Sequence, residues 1–230
     1  MCGRFSLRAL LDDLRRHLRE EYLIDNIADD IWVPKYNVAP GQEVLAVIND
    51  GAKNRVGRIK WGYVPPFAKA EDRIKTGIIN AKAETLAEKP AFRGALSRKR
   101  CVILADGFYE WKTGSQEKQP MRITMKDESV FALAGIWETS IAPDGKRKSG
   151  CAIVTTEPNE LMASIHNRMP VILGPEARRA WLDPSQTDPP LLVRLLTPFI
   201  AAEMTAYPVS SLINRPGVEG PDLILPLRQS

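Results

Sequence analysis

The sequence predicts an α+β fold, a single domain over residues 1–230 in which helices surround a mixed, mainly antiparallel, barrel-like β-sheet. Three observations carry this. Short runs rich in β-branched and aromatic residues recur between turn signals. The helical periodicities are few and short, and several begin near a proline. No repeat, Gly/Ser linker or shift in composition divides the chain; the Pro-rich stretch Asp183 to Pro190 reads as a loop within it.

From Ser6 onward, Leu7, Leu10, Leu11, Leu14 and Leu18 recur at helical spacing among charged residues, predicting an amphipathic helix with His17 on its polar, solvent-facing side. Glu43 to Ile48 and Arg55 to Tyr63 flank an Asn-Asp-Gly turn and read as a hairpin. A second hairpin pairs Cys101 to Trp111 with Met121 to Met125 around Thr113-Gly114-Ser115. Phe131 to Trp137 and Cys151 to Thr155 read as strands around Pro143-Asp144-Gly145. Helices are expected over Ala83 to Leu96, Pro158 to Ser164, Pro175 to Leu182 and Leu191 to Leu196.

A chain that is 44% hydrophobic and 26% charged has ordinary globular composition, which excludes disordered and fibrous classes. No apolar run approaches the roughly 18 residues of a spanning helix, and the first residues lack the basic-then-apolar layout of a signal peptide. The expected location is the cytoplasm. Cys2, Cys101 and Cys151 are too widely spaced for a CxxC metal site or a disulfide framework, so reduced thiols and no metal or other cofactor are expected. Cys101 and Cys151 sit in apolar strands as inert thiols, which leaves Cys2 as the accessible one. The net charge of +4 points weakly to a polyanionic partner. Basic residues gather at Lys53, Arg55, Arg58 and Lys60, at Lys69, Arg73, Lys75 and Lys82, at Arg93, Arg98, Lys99 and Arg100, and at Lys146, Arg147 and Lys148. A solvated face explains each cluster as well as phosphate binding does.

The most informative placement is Cys2. If Met1 is removed, one residue carries an α-amine of pKa about 7.7–8.0 next to a thiol near 8.5. Roughly 250 to 500 times more of that amine than of a lysine amine is neutral at pH 7. Amine and thiol on adjacent carbons suit an aldehyde, because the amine forms an imine that sulfur closes into a five-membered thiazolidine. Three more polar residues stand in apolar contexts. Asn80 precedes a predicted helix and is either a helix cap or a site residue. Glu110, among aromatics at a strand end, is either one half of a salt bridge or a carboxyl whose pKa burial raises toward neutrality. His166, between a short helix and an apolar strand, is either bonded to backbone or presented for proton transfer.

Six blocks together resemble the SRAP family of abasic-site processing proteins. They are Cys2-Gly3-Arg4-Phe5, Tyr36-Asn37-Val38-Ala39-Pro40-Gly41, Trp61-Gly62-Tyr63, the run Ile79-Asn80-Ala81-Lys82-Ala83-Glu84-Thr85, Gly107-Phe108-Tyr109-Glu110-Trp111 and His166-Asn167-Arg168-Met169-Pro170. Val209 to Leu223, with Asn214, resembles the family's C-terminal segment more loosely. The resemblance implies that Met1 is cleaved and that Cys2 attacks the ring-opened sugar of an abasic site in single-stranded DNA, leaving a thiazolidine crosslink. It implies that Glu110 carries the proton for sugar ring opening, that Asn80 holds the N-terminal amine and sugar, and that His166 assists imine formation and reversal. By the same resemblance Arg4 and Arg168 match phosphate contacts, while Pro40 and Trp111 match residues beside the distorted strand or its flanking bases. Lys82 stands where many relatives carry arginine, keeping the charge without the bidentate fork. Val64 to Lys69 lacks a tryptophan common after Trp-Gly in the family, so one stacking contact is either weaker or supplied by Phe67.

Three activities stay open on this reading. The first is crosslinking with an elimination branch that gives lyase activity. The second is a thiol peptidase or N-terminal nucleophile hydrolase built on Cys2, His166 and Glu110, including autoproteolytic exposure of Cys2. The third is a noncatalytic nucleic-acid-binding module.

Overall fold

Five strands close on themselves into a barrel. They are β3 (Glu43–Asn49), β4 (Asn54–Trp61), β6 (Arg100–Ala105), β9 (Phe131–Ile141) and β10 (Arg147–Thr156). The structure, a computed structural model, describes residues 2–68, 77–113, 118–141, 145 and 147–227. Antiparallel pairing runs from β4 through β3 and β6 to β9 and on to β10. A short parallel seam, Gly150↔Lys60 and Cys151↔Trp61, returns β10 to β4 and closes the ring. β5 (Asn80–Lys82) adds in parallel and β11 (Met169–Pro170) antiparallel to the end of β10, and β12 (Ile172–Leu173) adds to β9. A second sheet holds β13 (Met204–Pro208), β8 (Lys118–Met125), β7 (Gly107–Thr113), β1 (Phe5–Leu7) and β2 (Lys35–Val38) in that order.

The two faces of the barrel strands serve two cores, because successive side chains on a strand point to opposite sides. Val44, Ala46, Ile103, Leu133, Cys151 and Ile153 pack with Phe5, Phe108, Ile123 and Met125 of the second sheet. The alternate residues Leu45, Val47, Val102, Leu104, Ala134 and Val154 pack with Leu14, Leu18 and Tyr22 of α1 (Leu11–Tyr22), Leu96 of α2 (Arg93–Arg98), Trp181 of α4 (Pro175–Leu182) and Leu192 of α5 (Pro189–Arg194). The architecture is thus the α+β, barrel-like one expected from the sequence.

The seam between β10 and β4 depends on a glycine. A Cβ on Gly150 would lie 2.1 Å from the carbonyl oxygen of Gly62, which is backbone and cannot swing aside. We expect Gly150→Ala to cost about 1–3 kcal/mol through forced separation of the strands. At roughly 2–4 °C per kcal/mol for a chain of this size, differential scanning calorimetry should show a melting point several degrees lower. An unchanged melting point would mean the seam is not close-packed in solution.

Four expectations are corrected. The first helix does not begin near Ser6: Phe5 to Leu7 pair with β2 and β7, and the helix starts at Leu11. Leu7 therefore belongs to a strand, and Leu10 is left 64% exposed. His17 is half-buried rather than solvent-facing, with its ring 5.7 Å from that of Tyr22. Residues 83–96 are not one helix; a 3-10 turn (Ala83–Thr85) and α2 are separated by the stretch containing Pro90, which cannot continue a helix. Cys101 to Trp111 is not one strand, because the chain passes from β6 to β7, and from one sheet to the other, at Asp106. That corner is held by the Ser6 hydroxyl and the Arg122 guanidinium donating to Asp106 Oδ1 at 2.7 and 3.3 Å, and by the Arg8 amide donating to Oδ2 at 2.5 Å. The turn at Gly114-Ser115, Pro143 and Asp144 of the other turn, and the basic residues Lys69, Arg73, Lys75 and Lys146 lie outside the described residues. Among the described residues no helix is long and apolar enough to cross a membrane, and no group of three or more His, Cys, Asp or Glu is placed to hold a metal.

Candidate active site

Pairing of β1 against β7, with Phe5 opposite Phe108 and the Tyr109 amide donating to the Arg4 carbonyl at 2.9 Å, carries the chain's first residues back alongside Glu110 and Trp111. Cys2 ends fully buried in the core that holds Phe5, Trp61, Phe108 and Ile153. This corrects its reading as the accessible cysteine: the apolar lining between barrel and second sheet, not solvent, surrounds it. Burial pushes its thiol pKa well up, and the nearby Glu110 carboxyl pushes it further in the same direction. The thiol is therefore neutral at physiological pH. Cys101 and Cys151 are buried as expected, and burial raises their pKa values too.

Asn80 is not a helix cap. It lies in β5 opposite Ile153 of β10, and Lys82 rather than Asn80 precedes the 3-10 turn. Its side-chain amide donates to the Cys2 carbonyl at 2.8 Å. The strand is held in place from behind, where the Trp61 indole donates to the Ile79 carbonyl at 2.9 Å.

Glu110 is 2% exposed on β7, opposite Met121 of β8. Burial raises its pKa. Its Oε2 lies 3.8 Å from His166 Nε2, close enough for a charge interaction and too long for a direct hydrogen bond. His166 follows α3 (Glu160–Ala163), which is capped by the Asn159 side chain accepting from the Met162 amide. The Arg168 amide donates to His166 Nδ1 at 3.0 Å. An amide can only donate, and at 3.0 Å it is nearer Nδ1 than the Arg168 carbonyl at 3.3 Å, so this contact suits a neutral ring with Nδ1 as acceptor and its proton on Nε2, toward Glu110. The structure thus brings Cys2, Asn80, Glu110 and His166 together: Asn80 touches Cys2, Glu110 acts on the Cys2 thiol, and His166 faces Glu110.

The residues matched to DNA contacts are placed unequally. Lys82 is exposed, two residues from Asn80. Pro40 is partly exposed in a turn pinned to Trp61 by the Gly41 amide, which donates to the Trp61 carbonyl at 2.8 Å. Trp111 is half-buried, its indole donating to Asn214 Oδ1 at 2.7 Å. Phe67 is 64% exposed, in the position noted for a missing tryptophan. Arg4 points inward, donating to Asn37 Oδ1 at 2.5 Å and to the Ile213 carbonyl at 2.8 Å, and burial lowers its pKa. Arg168 is committed to Glu84 and to the Thr155 carbonyl. Asn37 and Glu84 both sit inside blocks read from the sequence, but no role fell to them there. Asn37 is fully buried, and its amide also donates to the Arg215 and Val218 carbonyls, strapping the C-terminal segment across β2.

This arrangement sets a buried cysteine, second in the chain, beside an amide, a carboxyl whose pKa burial raises and an imidazole. The chain belongs to the SRAP family, since the family model described as SOS response associated peptidase (SRAP) matches residues 1–216. It is 49% identical over 226 residues to the abasic site processing protein YoqW of Bacillus subtilis, covering 97% of this chain and 99% of that one. It is 30% identical over 228 residues to the abasic site processing protein YedK of Escherichia coli, covering 99% and 100% of the two chains. A crystal structure of a protein from Bacteroides thetaiotaomicron superimposes with a TM-score of 0.86 at 28% identity, covering 99% of this chain and 100% of that one.

Proposed function

We propose that this chain processes abasic sites in single-stranded DNA by attaching itself covalently through Cys2 once Met1 is gone. The observation that carries the reading is the convergence of Asn80, Glu110 and His166 on a cysteine that is second in the chain. The free α-amine adds to C1 of the ring-opened deoxyribose, and loss of one water leaves an imine. The thiol sulfur then adds to the same carbon while its proton passes to nitrogen, giving a thiazolidine. Over the whole sequence one C–N and one C–S bond form and one water leaves.

Each side chain has a definite part. Glu110, whose pKa burial raises, gives a proton to the ring oxygen of the sugar as the anomeric hydroxyl releases its own to solvent, and the ring opens. As a carboxylate it then sits beside the thiol whose proton must leave. His166, with its proton on Nε2, stabilises the hydroxyl departing from the carbinolamine. Asn80 holds the Cys2 carbonyl and so aims the amine. If the imine loses a sugar proton before sulfur closes on it, strand cleavage follows, which accounts for a lyase branch. A thiol peptidase is disfavoured by the same site, because such an enzyme needs a thiolate and both burial and Glu110 oppose ionisation here. Exposed Lys82, with Pro40, Phe67 and Trp111, supplies the cation and stacking surfaces a single strand requires.

Intact-mass measurement before and after incubation with a single-stranded abasic oligonucleotide tests this. The first mass should lack Met1, and the second should gain the oligonucleotide less one water. An unmodified mass in a protein that lacks Met1 and still binds the oligonucleotide would favour a noncatalytic binding module.

A further inference from the structure

We infer that Glu84 is a positioning residue for this site: its two-point pair with Arg168 spans β10 and holds the His166 ring with Nε2–H toward Glu110. The effect on rate rests on the crosslinking reading above; the effect on the ring does not.

The geometry is that of a strut. β10 lies between β5 and β11, with Thr155 opposite Lys82 on one side and Pro170 on the other. Glu84 stands just beyond β5 and Arg168 just before β11. Arg168 reaches across β10: Nη1 donates to Glu84 Oε1 at 2.6 Å, and Nη2 donates to Glu84 Oε2 at 2.9 Å and to the Thr155 carbonyl at 2.6 Å. The Arg168 side chain is only 14% exposed and that of Glu84 is 49% exposed, so the anion that faces Arg168 from outside is Glu84. The pair with Arg168 holds the Glu84 carboxyl below its usual range, so it is ionised at neutral pH.

The consequence reaches the reacting groups through one atom. The backbone of this pinned arginine faces His166 Nδ1 with its amide, a donor, at 3.0 Å and its carbonyl at 3.3 Å, and the nearer amide selects the acceptor form of Nδ1. Fix the guanidinium and the amide is fixed, and with it the tautomer that presents a proton rather than a lone pair to Glu110. At its other end the strut is four residues from Asn80, which holds Cys2. One pair therefore sets the Cys2 side of the site against the His166 side. A different role for Glu84 makes the opposite prediction. If Glu84 merely occupied a phosphate clamp until DNA displaced it, removing its charge would free Arg168 and tighten DNA binding without touching the ring.

Long-range 1H–15N spectra of the imidazoles decide between them. The chain has two histidines, and His17→Gln assigns the signals. The wild-type His166 ring should show the Nε2–H tautomer alone. Glu84→Gln should show a mixture of tautomers. Arg168→Lys, which keeps the cation and the amide but loses the fork, should show a mixture as well. Single-turnover crosslinking at saturating abasic oligonucleotide should be roughly tenfold slower in Glu84→Gln, the scale expected of a slightly misplaced group. A single tautomer in both variants, or tighter DNA binding with an unchanged saturated rate in Glu84→Gln, overturns the strut. Should the wild type form no adduct, the crosslinking reading falls while the ring spectra still decide this one.

Discussion

Cys2→Ala will form no heat-stable adduct with abasic single-stranded DNA, yet it will keep an imine that borohydride can trap. The two nucleophiles of the N-terminal residue separate cleanly in this variant. Alanine at position 2 still allows Met1 removal and still presents an α-amine, so C–N bond formation survives. What is lost is the sulfur that closes the ring, and an imine without it is reversible and open to elimination. Strand cleavage should therefore rise as the stable adduct disappears. A chain extended by residues before Cys2 makes the complementary case: the thiol stays and the amine is gone. Because the thiol is neutral and fully buried, it should not add to the aldehyde unaided, and both trapped imine and stable adduct should be absent. Denaturing gels of wild type, Cys2→Ala and the extended chain, with and without borohydride, read all these outcomes. A heat-stable, borohydride-independent adduct from either variant would sink the assignment of Cys2.

The chemistry proposed for Cys2 can be framed from the sequence because it depends on local covalent structure, an amine and a thiol on adjacent carbons, which no fold alters. The four candidate residues stand out in the sequence as polar side chains in apolar strands or turns, and the structure brings them together. Cys2 burial was not legible in the sequence. It follows from β1 pairing with β7 and placing Cys2 beneath Trp61 and Phe108, contacts made by segments about sixty to one hundred residues away in the chain. The same pairing overrode the helical spacing that Leu7 and Leu10 share with Leu14 and Leu18, because an edge of the second sheet offered residues 5–7 hydrogen bonds that a helix start does not. The passage between sheets at Asp106 escaped for a related reason. The run from Cys101 to Trp111 reads as one strand, and the bonds from Ser6, Arg8 and Arg122 to Asp106 mark the corner.

Charge was the least legible property. Arg4 and Arg168 match phosphate contacts by resemblance, and both guanidiniums in this structure are spent on protein acceptors: Asn37 and Ile213 for one, Glu84 and Thr155 for the other. A cation's sequence position says nothing of which acceptor it meets. Lys82 by contrast is exposed, two residues from Asn80. The electrostatic contribution of this surface to DNA binding should consequently come more from Lys82 than a count of basic residues implies.

Glu110→Gln should slow adduct formation by about 100-fold or more, the usual scale for loss of a positioned general acid, while noncovalent affinity for abasic DNA stays near that of wild type. The amide keeps the shape of the carboxyl and cannot give up a proton to the sugar oxygen. The pH dependence follows from the direction of the shift. Burial raises the Glu110 pKa, so the proton-carrying form persists to higher pH than for an exposed glutamate. Activity that needs this proton is present below the raised pKa and is lost as pH rises through it; in Glu110→Gln that limb should vanish. Stability should move the other way. A carboxyl with a raised folded pKa favours the folded state below its unfolded value of about 4.3, and that contribution fades as pH rises through the folded pKa. Once pH has risen through the folded pKa the ionised form is the costly one to bury, so Glu110→Gln should gain in melting temperature relative to wild type as pH is raised from 5 to 9. Single-turnover rates and thermal melts across that range measure both. A slow variant that also melts lower would point to damaged packing, and a wild-type rate would remove Glu110 from the chemistry.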